Sequence, residues 1–217
     1  MPQKVPPKLR ARKIKLILFD VDGVLTDGKI WIFPAPSAVE TRLAASPAQS
    51  GPDFSAQSTD HGGFGFQSAS LIEAKGFHAH DGAAISLARL AGLKTGVITK
   101  RVSETVALRA RDLKMDHVYQ GIQDKLTVFR QILEKDGITA AEAAFVGDDV
   151  IDLPVMRQCG FAVAVKNARP EVKAEAHWVT PHAGGDGAAR DAIEYILKAQ
   201  GKWKQAVGEY VSKRSPK

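Results

Sequence analysis

The stretch Leu16-Ile-Leu-Phe-Asp20-Val-Asp22-Gly23-Val-Leu-Thr-Asp-Gly28 decides the fold. Four apolar residues in a row, ended by a carboxylate, read as a strand buried on both faces, the kind found in parallel sheets. Asp20 then stands at the carboxyl end of that strand. Asp22 follows two residues later, and Gly23 permits a sharp turn. Two carboxylates in one loop repel each other unless a cation lies between them. Mg²⁺ answers this need, because it takes oxygen ligands and leaves room for phosphate oxygens. An Asp so placed is also competent to attack phosphorus. A solvated Asp-rich turn is the plainer reading of a bare Asp-x-Asp, and the strand in front of it argues the other way.

Beyond this segment, apolar strands and helical periods alternate. Lys29 to Phe33 and Leu71 to His78 read as a strand and its return, forming an arm. Pro34 to Ser70 between them is rich in Ala, Ser, Pro, Gly and Gln and reads as a long loop. Helices are expected at Ala83–Ala91, Ser103–Lys114 (with Ser103 as cap), Lys125–Lys135, Ile151–Gln158, Glu171–Ala176 and Ala188–Ala199. Strands are expected at Thr95–Ile98, Val118–Tyr119, Ala143–Val146, Phe161–Val165 and Trp178–Val179. This order predicts an α/β fold: a Rossmann-like, doubly wound, mostly parallel sheet with a two-stranded arm. Ligands in such sheets bind beyond the carboxyl ends of the strands, at a topological switch point. The expected layout is a basic tail over residues 1–13, one domain over 14–205 and a tail over 206–217.

Composition bounds the function. With 217 residues, 44% hydrophobic and 25% charged, the chain suits one packed domain and excludes wholesale disorder or a fibre. No apolar run is long enough to span a bilayer, and no secretory signal is read at the start, so the expected setting is cytoplasmic, without a membrane partner. The single cysteine, Cys159, excludes an internal disulfide and reads as a buried thiol. The net charge of +6 gathers at the two ends of the chain. Aromatic residues do not interleave with the basic ones, so no nucleic-acid partner is expected.

A second carboxylate segment, Phe145-Val-Gly147-Asp148-Asp149-Val-Ile-Asp152, again runs from an apolar strand into acids. Asp148 is placed to complete an all-oxygen Mg²⁺ site with Asp20. Asp149 and Asp152 read as residues that hold coordinated waters or orient Lys125. Helix capping by Asp148 or Asp149 is an open alternative. Thr99, after Val97-Ile98, has its hydroxyl where a phosphate oxygen would bind, although a helix cap uses the same residue. Lys125 begins a helix, where the dipole disfavours a cation, which points to a local reason for it. His78 and His80 would share one face of a strand, but no third ligand at a useful spacing supports a zinc site.

Asp-x-Asp, Thr99, Lys125 and Gly-Asp-Asp, in that order, resemble the four motifs of the haloacid dehalogenase superfamily, over roughly residues 14–205. The resemblance implies a phosphotransferase in which Asp20, Asp22, Thr99 and Lys125 are catalytic. It implies Mg²⁺ on the carboxylates of Asp20 and Asp148 and the backbone carbonyl of Asp22. Little chain separates Gly28 from the helix expected at Ala83, so no cap domain is expected. The stretch is similar to capless sugar-phosphate phosphatases, most of all the 3-deoxy-D-manno-octulosonate 8-phosphate phosphatase family. The matching segments are Glu73-Ala-Lys75-Gly-Phe77, Asp81-Gly82, Val118-Tyr-Gln-Gly121, Gly184-Gly185-Asp-Gly187-Ala-Ala-Arg190 and Ala199-Gln-Gly-Lys202. That likeness implies hydrolysis of this sugar-acid phosphate for lipopolysaccharide synthesis. It also implies a homotetramer whose arms form a central barrel, with a neighbouring subunit covering each site. Asp81, Gly82, Arg101 and, from the neighbouring subunit, Arg190 are the expected substrate-binding residues. The chain departs from the family in Lys100, where glycine is usual, in His80, where arginine is usual, and in the long loop. A nine-carbon keto-acid 9-phosphate, a range of small phosphates, or an inactive binding or regulatory subunit are the alternatives.

Overall fold

The computed structural model describes residues 5–34 and 71–212, so the expected loop 34–70 lies outside the described residues except for Pro34, which ends a strand. The chain divides into two compact units, residues 30–74 and the remainder.

The larger unit is built on a six-stranded sheet in the order β5-β4-β1-β6-β7-β8. The strands are β1 (Leu16–Phe19), β4 (Lys94–Ile98), β5 (His117–Tyr119), β6 (Ala143–Gly147), β7 (Phe161–Ala164) and β8 (Trp178–Val179). Every pairing is parallel. The apolar run Leu16–Phe19 is wholly buried because β1 lies between β4 and β6 with no free edge. From β1 the chain winds outward to β4 and β5, then crosses back to β6 and continues to β7 and β8. That reversal creates the switch point beside β1 and sends successive crossovers to opposite faces.

Two groups of helices follow from it. One contains α1 (Pro7–Ala11), α2 (Ala79–Leu90), α7 (Ala188–Ala199) and α8 (Trp203–Ser212), which pack on one another. The other contains α4 (Lys125–Asp136), α5 (Leu153–Met156) and α6 (Pro170–Glu175). Helix α3 (Glu104–Asp112) joins β4 to β5. The core is aliphatic and aromatic, with Phe19, Phe129, Phe145 and Phe161 fully buried. Among the described residues, no helix is long and apolar enough to cross a membrane.

The smaller unit carries an antiparallel pair, β2 (Trp31–Pro34) and β3 (Leu71–Ala74), with Trp31 opposite Ala74 and Phe33 opposite Ile72. Trp31, Ile32, Phe33, Leu71 and Ile72 are all exposed.

Several boundaries differ from the sequence expectation. Part of the expected tail 1–13 is helix α1, anchored by fully buried Ala11 and by Arg10, which donates to the Gly160 carbonyl at 3.0 Å. Helix α8 likewise occupies much of the expected tail 206–217, with Ala206 buried. The return strand stops at Ala74, and the next helix begins at Ala79 rather than Ala83. His78 is the extended residue that caps α2, so His78 and His80 do not line a strand face; their rings meet edge to face at 4.9 Å. The expected helix 151–158 is a 3-10 turn, Val150–Asp152, followed by the short α5, because Asp149 and Asp152 take up the first backbone N–H groups. Ser103 sits at the N-cap of α3 without donating or accepting a capping bond.

Candidate active site

Register places the site. Phe19 pairs with Val97 on one side and Val146 on the other, so the strand ends of β1, β4 and β6 arrive level. Asp20, Thr99 and Asp148 are the residues just beyond them. The Asp20 N–H donates to the Val146 carbonyl at 3.0 Å, which holds the first residue of the loop against the sheet. Its side chain is buried, only 6% exposed.

Lys125 is the internal cation of this cluster. Helix α4 is capped by Asp124, whose carboxylate accepts from the backbone of Leu126 and Thr127, and this fixes the first turn. The Lys125 ammonium then reaches Asp20 Oδ1 at 2.9 Å and Asp152 Oδ1 at 2.7 Å. The unfavourable position at a helix start is thus offset by two carboxylates. Burial pulls the Lys125 pKa down, but Asp152 and Asp20 together hold it above the ordinary lysine value.

Asp152 is fully buried and serves as a frame. Its Oδ2 accepts from the backbone N–H of Asp148 at 3.0 Å and of Asp149 at 3.4 Å. It therefore orients Lys125, as expected, and also sets the loop that carries Asp148. Asp149 does not join it: the side chain faces solvent and caps the 3-10 turn through Val150 N at 2.7 Å. The capping alternative is the one the structure shows for Asp149.

Asp20, Asp148 and Asp152 offer oxygens that lie within 4.8 Å of one another. Like charges so close are costly, and the carboxyl pKa values respond. Burial, then Asp152, pushes Asp20 up to about 6 against the pull of Lys125. Burial, then Asp152, Asp20 and Asp149, pushes Asp148 up to about 7. One ammonium thus leaves a surplus of negative charge, and the donors are all oxygen. That set fits a hard divalent cation held by Asp20 and Asp148. Gly23, at φ +91°, lets the β1 loop turn so tightly that a Cβ there would collide with the Asp148 carboxylate.

Asp22 points to a different partner. Its Oδ1 accepts from the Lys75 ammonium, and Arg101 Nε lies 3.7 Å from Oδ2. Lys75 is buried and follows directly on the arm; the sequence pattern named it, but gave it no role. Its one signal was a charged residue in the otherwise small or apolar stretch Ala74–Phe77. Thr99 is buried, and its hydroxyl accepts from the Arg101 N–H at 3.4 Å. The Thr99 backbone is fixed on both sides, through Tyr119 O and Ile122 N.

The remaining expected substrate residues fall elsewhere. Asp81 is buried and accepts from the backbone N–H of Arg190 at 2.8 Å. Gly82 is buried where a Cβ would meet the Arg109 guanidinium. The Arg190 side chain bonds Glu194 at 3.0 Å and covers the Trp203 ring. Of the three expected within one subunit, Arg101 alone joins the cluster.

A carboxylate at the end of a central parallel strand, held by a buried lysine and flanked by further oxygens, is an arrangement suited to attack on phosphorus, and likeness to known proteins places the chain among hydrolases of phosphoric monoesters. Residues 100–191 match the model of a family described as haloacid dehalogenase-like hydrolase. The chain is 35% identical over 202 residues to 3-deoxy-D-manno-octulosonate 8-phosphate phosphatase KdsC of Escherichia coli K12, covering 93% of this chain and 89% of the relative. It is also similar to two solved structures of enzymes bearing that name. That from Yersinia pestis gives a TM-score of 0.72 at 32% identity, covering 91% of this chain and 88% of the other. That from Moraxella catarrhalis, in complex with magnesium, phosphate and a KDO molecule, gives 0.75 at 30% identity, covering 94% and 97%. The chain belongs to the haloacid dehalogenase superfamily and, within it, to the 3-deoxy-D-manno-octulosonate 8-phosphate phosphatase family.

Proposed function

We propose that this enzyme is a Mg²⁺-dependent phosphatase that hydrolyses 3-deoxy-D-manno-octulosonate 8-phosphate to the free sugar acid and phosphate. The observation that carries the reading is the buried Asp20 carboxylate, held at 2.9 Å by Lys125 at the end of β1. An oxygen fixed there is oriented for in-line attack on phosphorus, giving an aspartyl-phosphate as the sugar alkoxide leaves. Asp22 donates the proton that the alkoxide takes, then removes one from the water that cleaves the aspartyl-phosphate. Lys75 and Arg101 fix Asp22 beside the leaving group and stabilise the carboxylate that remains once its proton has been given. Lys125 and the Thr99 hydroxyl carry charge on the phosphate oxygens, and most of the rate enhancement arises from this positioning. The carboxylates of Asp20 and Asp148 and the backbone carbonyl of Asp22 would hold Mg²⁺, which when bound would neutralise those oxygens further. Asp20 and Asp148 must both be ionised to hold it.

The sugar is proposed from the family likeness, with Arg101 as the group that meets the substrate carboxylate. The exposed apolar residues of β2 and β3 support association of copies through the arm, in the tetramer that the family likeness implies. The cytoplasm and lipopolysaccharide-sugar synthesis are the setting proposed for this activity.

Phosphate release is the deciding measurement, on the eight-carbon acid phosphate, its nine-carbon analogue and an aryl phosphate, with and without Mg²⁺. Strong Mg²⁺-dependent preference for the eight-carbon acid supports the proposal; activity on the aryl phosphate alone keeps the chemistry and discards the substrate. Asp20→Asn should abolish turnover with the circular dichroism spectrum unchanged. Retained activity removes Asp20 as nucleophile.

A further inference from the structure

The buried carboxylate of Asp81 has no part in the proposed chemistry, yet it closes a circuit of contacts around the catalytic loop. Asp81 lies in the first turn of α2 and is 3% exposed. Its Oδ1 accepts from the N–H of Arg190, in the first turn of α7, at 2.8 Å. Its Oδ2 is buried without a hydrogen-bond partner. A buried carboxylate with one orphan oxygen is costly, so its place there calls for an explanation beyond packing.

The chain before α7 supplies one. Gly184 and Gly185 lie against the loop that carries Asp20 and Asp22. The Gly185 N–H donates to the Val24 carbonyl at 3.0 Å. A Cβ on Gly184 would collide with the Gly23 carbonyl, and one on Gly185 with the Asp27 backbone. Such close approach couples residues 184–185 to residues 23–27. At the other end of the circuit, six residues before Asp81, Lys75 is bound to Asp22. The segment from Lys75 to Asp81 is thus tied at one end to Asp22 and at the other to the amino terminus of α7.

We infer that Asp81 is a positioning residue for the phosphatase reaction: by holding the first turn of α7 it sets the Gly184–Gly185 loop, and through it and Lys75 the placement of Asp22. This deepens the proposed function and rests on the reading of Asp22 as the proton donor. It also replaces the expectation that Asp81 meets substrate.

The test compares Asp81→Ala and Asp81→Asn with the unaltered enzyme, all with Mg²⁺, by turnover of an alkyl and an aryl phosphate and by hydrogen exchange. Asp81→Asn keeps an oxygen acceptor for the Arg190 N–H and should stay within about threefold of normal in every assay. In Asp81→Ala, backbone exchange should rise about tenfold both in residues 184–190 and in residues 20–28. Alkyl phosphate turnover should fall at least ~10-fold in kcat with KM nearly unchanged, while aryl phosphate, whose leaving group needs little proton donation, should fall far less. If exchange rises only in residues 184–190 and turnover holds, Asp81 is a helix cap alone and the inference fails. If KM rises while kcat holds, Asp81 meets substrate and the inference also fails. Asp22→Asn, measured beside them, separates the two readings. Equal loss on alkyl and aryl phosphates in that variant removes Asp22 as proton donor. The exchange of residues 20–28 then decides the role of Asp81 by itself. If Asp81→Ala does not fold, failure of Asp81→Asn to restore normal exchange and turnover overturns the inference.

Discussion

Replacing Lys125 with methionine isolates the electrostatics of the site. The ammonium lies 2.9 Å from Asp20 and 2.7 Å from Asp152. At an effective permittivity of about 20, each contact contributes roughly 6 kcal/mol. Burying the ammonium costs several kcal/mol in return, so loss of one partner of such a pair destabilises by about 3–5 kcal/mol. A proton sets the limit on the share that falls on Asp20. Asp20 already stands at about 6 with Lys125 in place, so making it neutral at pH 7 costs roughly 1 × 1.36, or about 1.4 kcal/mol. At pH 5 it is already mostly neutral, and this share falls to about zero.

The expected result is therefore a loss of about 3–5 kcal/mol in metal-free protein at pH 7 that shrinks by about 1 kcal/mol at pH 5. Urea unfolding in chelator, followed by circular dichroism at both pH values, measures it. Turnover with Mg²⁺ should drop by about 10²–10³-fold, the usual effect of removing one stabilising charge from a transition state. A loss below ~1 kcal/mol at pH 7, or one of equal size at both pH values, would refute the argument that Lys125 neutralises Asp20.

Lys75→Met leaves the Asp22 carboxylate without its buried partner; alkyl phosphate turnover should fall about 10–100-fold and aryl phosphate turnover much less, by steady-state kinetics. With Asp20 raised to about 6 and Asp148 to about 7, the folded chain holds protons that the unfolded chain has already released. Metal-free stability should therefore rise as pH falls from 7 towards 4, and Mg²⁺ should bind more weakly over the same span with proton release, as measured by urea midpoints and by titration calorimetry in two buffers. Burial pushes the Cys159 thiol up to about 12, so at pH 8 it should resist a thiol reagent in the native protein and react once urea unfolds it.

The legible part of this molecule was its central strand. Leu16–Phe19 must be buried on both faces, which fixes its place in the middle of the sheet, and a carboxylate directly after it must stand at the switch point. The same logic located Asp148 after β6 and Thr99 after β4. Asp149 and Asp152 could not be told apart in this way, since both are acids in one turn; only the direction of the turn decides that Asp152 faces Lys125 and Asp149 faces water. Asp81 and Gly82 come from the family likeness, in the stretch between the return strand and a helix expected at Ala83; helix α2 begins instead at Ala79, and Asp81 accepts from the Arg190 N–H of α7. The roles of Lys75 and of the Gly184–Gly185 loop depend on contacts across long separations in the chain. Pattern and spacing carry no information about those.

The cluster itself explains why so much of the surrounding chain is constrained. Asp20, Asp148 and Asp152 would separate if their loops were free, because one ammonium cannot neutralise three carboxylates. They stay together because each loop is fixed by something other than the charges. Asp20 is tied to β6 by its own N–H, and Asp148 by the bond from its N–H to Asp152. Gly23 and Gly147 allow the approach, since a Cβ at Gly23 would strike Asp148 and one at Gly147 would strike Asp152. Gly23→Ala should therefore damage the site at two levels. It forces a left-handed backbone onto a residue with a side chain, and it drives the Asp148 carboxylate out of line. Mg²⁺ affinity should then fall by more than stability does. If calorimetry finds metal binding intact while the melting temperature drops, Gly23 matters for the turn alone and the carboxylates hold their places without it.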